Sequence, residues 1–303
     1  MTTTENLYSP ILPPPLKPGD LLRVIAPSGT LREFAAFETG VEIWRSRGYQ
    51  VEVSPHTYDR WGYLAGTDST RTQELANAWQ DPNCRAIICA RGGFGSTRIL
   101  ERWHWPQITQ AKWVIGFSDI TALLWNLAKN GVAGIHGPVL TTLVDEPEWS
   151  QQRLFDLVEG RQVPPLKGCG WGGGIVTGTL LAGNLTVATH LLSTALLPDL
   201  DGVILAWEDV SEAPYRIDRM LTQWRLSGAL SKVRGIALGS FTKCEAPTSI
   251  PSFSVEEVLR DRLGDLGIPI VSDLPFGHDN PNAALPVGVQ VTLDAKDGIL
   301  QIH

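Results

Sequence analysis

The sequence predicts an α/β protein: an N-terminal doubly wound parallel-sheet domain followed by a smaller, mixed α+β C-terminal domain. Three observations carry that expectation. From Asp20 onward, short apolar runs alternate with helical stretches, which is how a parallel sheet with crossover helices reads. The regularity breaks between Asp145 and Gly174, where RQVPPLKGCGWGGG brings together two prolines and five glycines. A length of 303 residues, 43% of them hydrophobic, suits two globular domains better than one.

The elements follow in order. A strand over 21–26 stops at Pro27-Ser28-Gly29, a helix covers 34–47, a second strand 49–54, and a helix 68–80 with Thr67 or Asp68 as its cap. The β-branched run RAIICA, 85–90, is a strand that ends at Arg91-Gly92-Gly93-Phe94-Gly95; KWVIGF, 112–117, ends at Ser118-Asp119, ahead of a helix over 121–130. A short helix over 151–159 precedes the glycine-rich break. Strands are then expected over 175–181, 202–208 and 235–241, helices over 215–226 and 254–266, and a closing hairpin from 287–294 and 299–303. The domain expectation is therefore 1–148, a linker over 149–174, and 175–303. Residues 168–198 contain no Asp, Glu, Lys or Arg, and 175–197 is long enough to cross a bilayer, but Gly178, Gly183, Asn184 and His190 mark it as strand, turn and buried helix.

Composition excludes several classes. With 32 acidic against 25 basic residues, the net charge of -7 offers no basic face for a nucleic acid. Cys84, Cys89, Cys169 and Cys244 are too sparse for a disulfide framework or a Cys-x-x-Cys site, and they read as thiols of a reducing compartment, the cytoplasm. The first twenty residues lack a basic segment and an unbroken apolar run, so they are expected to be a proline-bearing lead-in, not a signal peptide. His56, His104, His136, His190 and His303 have no partners at ligand spacing, so no metal is expected. The turn after Ala90 is neither Gly-x-Gly-x-x-Gly nor a P-loop, and no cofactor is expected.

In open α/β sheets, ligands bind beyond the carboxyl ends of the strands, which singles out the two turns after 85–90 and 112–117. Ser118 sits where a strand turns into a helix, so its hydroxyl is either an exposed nucleophile or a helix cap. The Gly-x-Ser-x-Gly elbow is not satisfied, because Ile120 holds its last position. Glu208 ends an apolar strand and reads as a site carboxylate or as a surface charge ahead of the next helix. His278 lies in the proline-stiffened loop LPFGHDNPN and reads as a base or as an ordinary surface histidine. A serine, a glutamate and a histidine, each at a turn, is the set that acyl transfer uses. Gly92 and Gly93 suit close backbone approach and N–H donation to an oxyanion better than a dinucleotide. Of the eleven tryptophans, Trp171 in its glycine loop is the one expected to contact a ligand.

Together these motifs resemble the serine LD-carboxypeptidases, which include muramoyl-tetrapeptide carboxypeptidases and microcin C self-immunity peptidases. The matching segments are IAPSG (25–29), ARGGFGSTRIL (90–100), VIGFSDITALL (114–124), HGP (136–138), TGTLLAGNL (177–185), LAWEDVSEAPYRIDRML (205–221) and LPFGHDNPNAALPVG (274–288), spread over nearly the whole chain. The resemblance implies Ser118 as nucleophile, His278 as general base and Glu208 as its orienting carboxylate, with the amides of Asp119 and of Gly92 or Gly93 as the oxyanion hole. For Arg91 two roles stand, binding a substrate carboxylate or bracing the turn. The implied activity is release of a terminal D-amino acid from an L-D bond in murein peptides. Two alternatives stand beside it: hydrolysis of a peptidyl or aminoacyl nucleotide, with Trp171 stacking on the base, and non-catalytic binding of a small ligand. The implied partners are a small peptide substrate and a second copy in a homodimer, with the apolar helices near Leu123 and Leu191 as contributors; neither nucleic acid nor membrane is expected. The segment Leu192-Ser193-Thr194 and Ala182 before Gly183 depart from the family pattern, outside the implied triad.

Overall fold

A computed structural model describes residues 10–108 and 110–303 of the chain. Part of the proline-bearing lead-in, residues 1–9, lies outside the described residues. Strand and helix alternate through β1 (Leu21–Ile25), α1 (Phe34–Ser46), β2 (Gln50–Val53), α2 (Asp68–Gln80), β3 (Cys84–Cys89), α3 (Ser96–Leu100), β4 (Trp113–Gly116), α4 (Thr121–Lys129) and β5 (Gly134–His136). Two helices follow, α5 (Leu140–Leu143) and α6 (Glu148–Val158). The second half comprises β6 (Leu166–Lys167), β7 (Cys169–Trp171), β8 (Ile175–Asn184), α7 (Leu185–Leu191), β9 (Val203–Val210), α8 (Pro214–Leu226), β10 (Gly235–Thr242), α9 (Val255–Leu263), β11 (Ile270–Ser272), β12 (Leu285–Val287), β13 (Gln290–Asp294) and β14 (Ile299–Ile302).

The first sheet runs β12-β5-β4-β3-β1-β2, and all of it is parallel except β12 on β5. Its β2-β1-β3-β4-β5 order reverses direction between β1 and β3, so the helices after these two strands lie on opposite faces and open a crevice at their carboxyl ends. The second sheet, β6-β14-β13-β8-β9-β10-β11-β7, has a parallel centre, β8 to β11, with antiparallel strands on both sides. Local chemistry sets the ends of the helices: the Thr67 hydroxyl accepts from the Thr70 amide at the start of α2, and Ser254 and Glu257 form a reciprocal capping box at α9. The stretch 175–197 resolves into β8 and α7, and among the described residues no helix is long and apolar enough to cross a membrane.

The layout differs from the expected boundaries in two places. The stretch read as a linker is structured: α6 buries Leu154, Phe155 and Val158 against the first domain, with Phe155 4.7 Å from Trp44, while β6 and β7 take opposite edges of the second sheet. Conversely, β12 comes from the second half of the sequence yet pairs with β5 of the first sheet. In both cases an apolar face or an open edge is covered by whichever segment reaches it, irrespective of sequence order. Leu123 and Leu191, expected at a dimer face, are instead buried inside the chain, because α4 and α7 pack on each other between the two sheets.

The two halves meet closely where α4 crosses the end of β8. The Trp125 indole donates to the Ala182 carbonyl at 2.9 Å, and the Asn184 amide donates to the Thr121 hydroxyl at 2.9 Å. A Cβ at Gly183 would lie 2.3 Å from Thr121 Cγ2, so glycine is what permits this approach. Gly183→Val is therefore expected to lower stability by about 1–3 kcal/mol through overpacking. Chemical unfolding measures it, and an unchanged midpoint would mean that helix and strand are not in this contact.

Candidate active site

Ser118 stands two residues beyond β4 with φ of 63°, the left-handed region that an L-residue enters at a cost on the order of 1–2 kcal/mol. A single 3₁₀ turn, Ser118–Ile120, separates β4 from α4, and neither that turn nor α4 is capped by a side chain. The serine is thus not spent as a cap, and the strained turn lifts its side chain to the crevice at the ends of the strands.

Asp119 explains how this turn is held. Its carboxylate, almost fully buried, accepts the Ser28 hydroxyl at 2.5 Å and the Ser96 amide at 2.8 Å, while its carbonyl accepts the Ser96 hydroxyl at 2.5 Å. The turns after β1, β3 and β4 are locked together by one side chain. The glycine turn after β3 runs directly against the serine: a Cβ at Gly92 would lie 2.9 Å from Ser118 Cβ and 3.1 Å from Oγ. Gly92 and Gly93 donate no backbone hydrogen bond among the described residues, so their amides are free for an anionic oxygen. Arg91 turns away: its guanidinium donates to the Thr30 carbonyl at 3.1 Å and lies 3.4 Å from Glu33, the contacts of a brace.

Glu208 and His278 meet from different parts of the second half. Glu208 is fully buried near the end of β9, and its Oε2 lies 2.5 Å from His278 Nδ1. Its neighbour Asp209, which points the other way, accepts from Asn184, Thr186 and Val210, holding the start of α7. The His278 side chain is 17% exposed, which is not an ordinary surface position. Burial alone would lower its pKa, but the charge and hydrogen bond of Glu208, aided by Asp209 and Asp279, reverse that and raise it above 6.5. Gly277, at φ of 124°, brings the loop against Glu208: a Cβ there would lie 2.9 Å from Glu208 Cβ.

The His278 ring lies 4.8 Å from that of Phe117, the residue before Ser118, so imidazole and serine turn are neighbours. Behind them His136 is fully buried, with neither ring nitrogen hydrogen-bonded among the described residues. Burial, with the charge of His278, pushes its pKa down to about 3, so it stays neutral and leaves the proton to His278. A cleft of about 520 Å³ opens in front of Ser118, lined also by Gly93, Phe94, Asn184, Thr186 and Glu212.

Of the residues singled out from sequence, Gly92 lies against Ser118, Glu208 pairs with His278, and the His278 ring neighbours Phe117 at the turn that carries Ser118 and Asp119, while Arg91 contacts Thr30 and Glu33. Trp171 does not join them. It belongs to β7, where pairing with β11 fixes it; its indole donates to the Ser272 hydroxyl at 2.9 Å and Arg260 lies 4.5 Å above the ring. Sequence reasoning missed Ser28, Ser96, Asp209 and the setting of His136. Ser28, Ser96, Asp209 and His136 lie inside the motifs IAPSG, ARGGFGSTRIL, WED and HGP, and that membership was the available signal.

A strained strand-to-helix serine, free amides beside it, and an imidazole paired to a buried carboxylate are the groups that serine hydrolases use, here on a two-domain α/β scaffold. The family comparison narrows this further. Residues 22–137 match the LD-carboxypeptidase N-terminal domain and residues 177–293 the LD-carboxypeptidase C-terminal domain. The chain belongs to the LD-carboxypeptidase family and is a serine peptidase. It is 59% identical to a Synechocystis protein named for carboxypeptidase activity, over 98% of this chain and 97% of that one. It is 33% identical to the murein tetrapeptide carboxypeptidase of Pseudomonas aeruginosa, over 82% of this chain and 85% of that one. Among solved structures, the muramoyltetrapeptide carboxypeptidase from Oxalobacter formigenes superposes with a TM-score of 0.80 at 30% identity, covering 93% of this chain and 97% of that one. The microcin C7 self-immunity protein bound to aspartyl sulfamoyl adenosine shares the fold, with a TM-score of 0.86 at 24% identity, covering 97% of this chain and 98% of that one.

Replacing Glu208 by Gln removes the largest of the influences that together outweigh burial, so the His278 pKa is expected to fall. Titration of the His278 ring protons by NMR reads the change directly. A pKa that stays raised in the variant would show that Glu208 is not the cause.

Proposed function

We propose that this protein is a serine LD-carboxypeptidase that releases terminal D-alanine from murein tetrapeptides by way of an acyl-enzyme on Ser118. The observation that carries the reading is the His278–Glu208 pair, at 2.5 Å, held beside the turn that bears Ser118. With Nδ1 engaged by Glu208, Nε2 is the nitrogen that takes the proton from the Ser118 hydroxyl. The serine oxygen adds to the carbonyl carbon of the L-D bond, and the resulting oxyanion is received by the amide of Asp119 and one of Gly92 or Gly93. Such a donor is worth on the order of 10²–10³ in rate. Collapse passes the proton from His278 to the departing D-alanine nitrogen and leaves an ester on Ser118. Water, deprotonated by His278, then hydrolyses the ester, returning the serine and a tripeptide. No step calls for a metal or a cofactor.

The sign of the pH dependence follows from the state of the base. His278 must be neutral to accept the serine proton, and its pKa is raised. Activity is therefore expected to fall on the acid side through a pKa above 6.5.

A cytoplasmic location and a homodimer belong to the same proposal, and sedimentation velocity tests the dimer. Stacking of Trp171 on a nucleotide base loses its support, since that residue lines a different groove, with Ser240 and Asp279. Among the described residues, the rings that line the cleft are those of Phe94 and His190.

The test is D-alanine release from murein tetrapeptide, followed by mass spectrometry, for wild type and Ser118→Ala. Release is expected from wild type, with a fall on the order of 10⁴–10⁶-fold in the variant. Absence of release from wild type, with cleavage of an aminoacyl sulfamoyl adenosine instead, would replace this reading by nucleotide-conjugate hydrolysis. Binding without turnover of either compound would leave a ligand-binding protein.

A further inference from the structure

We propose that Glu146 is a positioning residue for His278, acting through Asn282 and Gly277 to set the base against the half of the molecule that carries Ser118. The proposal rests on the reading of His278 as the general base given above.

Glu146 follows α5, in the first half, and is 4% exposed. Its Oε2 accepts the Asn282 amide at 2.8 Å. The Asn282 side chain, equally buried, reaches back with Oδ1 to accept the Gly277 amide at 3.0 Å. Gly277 immediately precedes His278, so two buried hydrogen bonds lead from a carboxylate on the serine-bearing half to the backbone of the imidazole.

The other ties of this loop do not do the same work. The Ala283 amide bonds to the Pro275 carbonyl within the loop, and the Ser240 amide to the Phe276 carbonyl fastens it to β10 of the second sheet. Those bonds, with Glu208, fix the imidazole relative to its own half. Two other side-chain links to the first half are present among the described residues: Asn280 Nδ2 donates to the Asp145 carbonyl at 3.1 Å, exposed to solvent, and the buried Arg153 guanidinium donates to the Ala284 carbonyl at 2.9 Å, six residues beyond His278 at the β12 end of the crossing. Burying a carboxylate is costly, and an apolar side chain would fill the same space at less cost. What Glu146 supplies is an acceptor for a buried amide that has no other partner among the described residues, at the place where the base loop meets the nucleophile's half.

This division predicts a particular pattern. Loss of Glu146 leaves the imidazole paired with Glu208 but displaced from the serine. The groups that set the His278 charge, namely Glu208, Asp209 and Asp279, are untouched, so the acid limb of the pH profile stays in place. The rate suffers, because a displacement of about 1 Å in a reacting pair costs up to about 10²-fold.

The experiment measures kcat and KM for D-alanine release by wild type, Glu146→Ala, Glu146→Gln and Asn282→Ala. Rates are normalised to the folded fraction found by circular dichroism. Glu146→Ala is expected to lower kcat about 10- to 100-fold with KM within about 3-fold and an unmoved acid limb. Glu146→Gln keeps an oxygen for the Asn282 amide and is expected to recover to within about 3-fold of wild type. Asn282→Ala, which cuts the second bond alone, is expected to lower kcat in the same manner and stands in for Glu146→Ala should that variant not fold. A kcat per folded molecule within about 2-fold of wild type in both alanine variants would reduce Glu146 to a structural residue and overturn the proposal. Wild type that releases no D-alanine would overturn the underlying reading, and this proposal with it.

Discussion

The geometry of the site depends on the path of the chain between β11 and β12. The first of these strands closes the parallel centre of one sheet, and the second pairs with β5 at the edge of the other. The twelve residues between them, 273–284, must cross from one domain to the other, and His278 lies near the midpoint of that crossing. A loop fastened at both ends to rigid sheets has few conformations to lose, so its side chains are placed at small entropic cost. The imidazole reaches Glu208 at the end of β9 and Phe117 at the end of β4 because it hangs between the two sheets.

The turn that bears Ser118 is built on the opposite plan. It is short, left-handed at Ser118 and unfavourable by itself, and it persists because the surroundings over-determine it. Asp119 receives donors from the turns after β1 and β3, and α4 is pinned to β8 through Thr121 and Trp125. The carboxylate paired with His278 and the helix that follows Ser118 thus rest on adjacent strands, β9 and β8, paired in register at Glu208 and Asn184. Two domains share one framework, and the cleft between them is preorganised.

Much of the fold was legible because its signals are local. The β-branched run before Arg91, the helix capped by Thr67, and the hairpin turning at Lys296-Asp297-Gly298 each carry their own chemistry within a few residues. The serine, glutamate and histidine were legible as residue types at turns, and as motifs of the LD-carboxypeptidase family. Trp171 misled because a tryptophan flanked by glycines looks unpacked; its partners, Ser272 and Arg260, are about a hundred residues away in sequence. Leu123 and Leu191 misled for a related reason: an apolar helix face does not say whether it is covered by its own chain or by a second copy.

By itself the sequence determined which segments are strands and helices, where the glycine and serine turns fall, and which residue types are available for acyl transfer. These follow from propensity, periodicity and capping, which act over a few residues. The tertiary structure alone decided that β12 would complete the first sheet, that α6 would belong to the first domain although it lies beyond the expected boundary, and that the Glu208–His278 pair would lie beside the turn that bears Ser118. Those outcomes turn on burial of whole faces and pairing of open edges, and such long-range contacts depend on the entire chain.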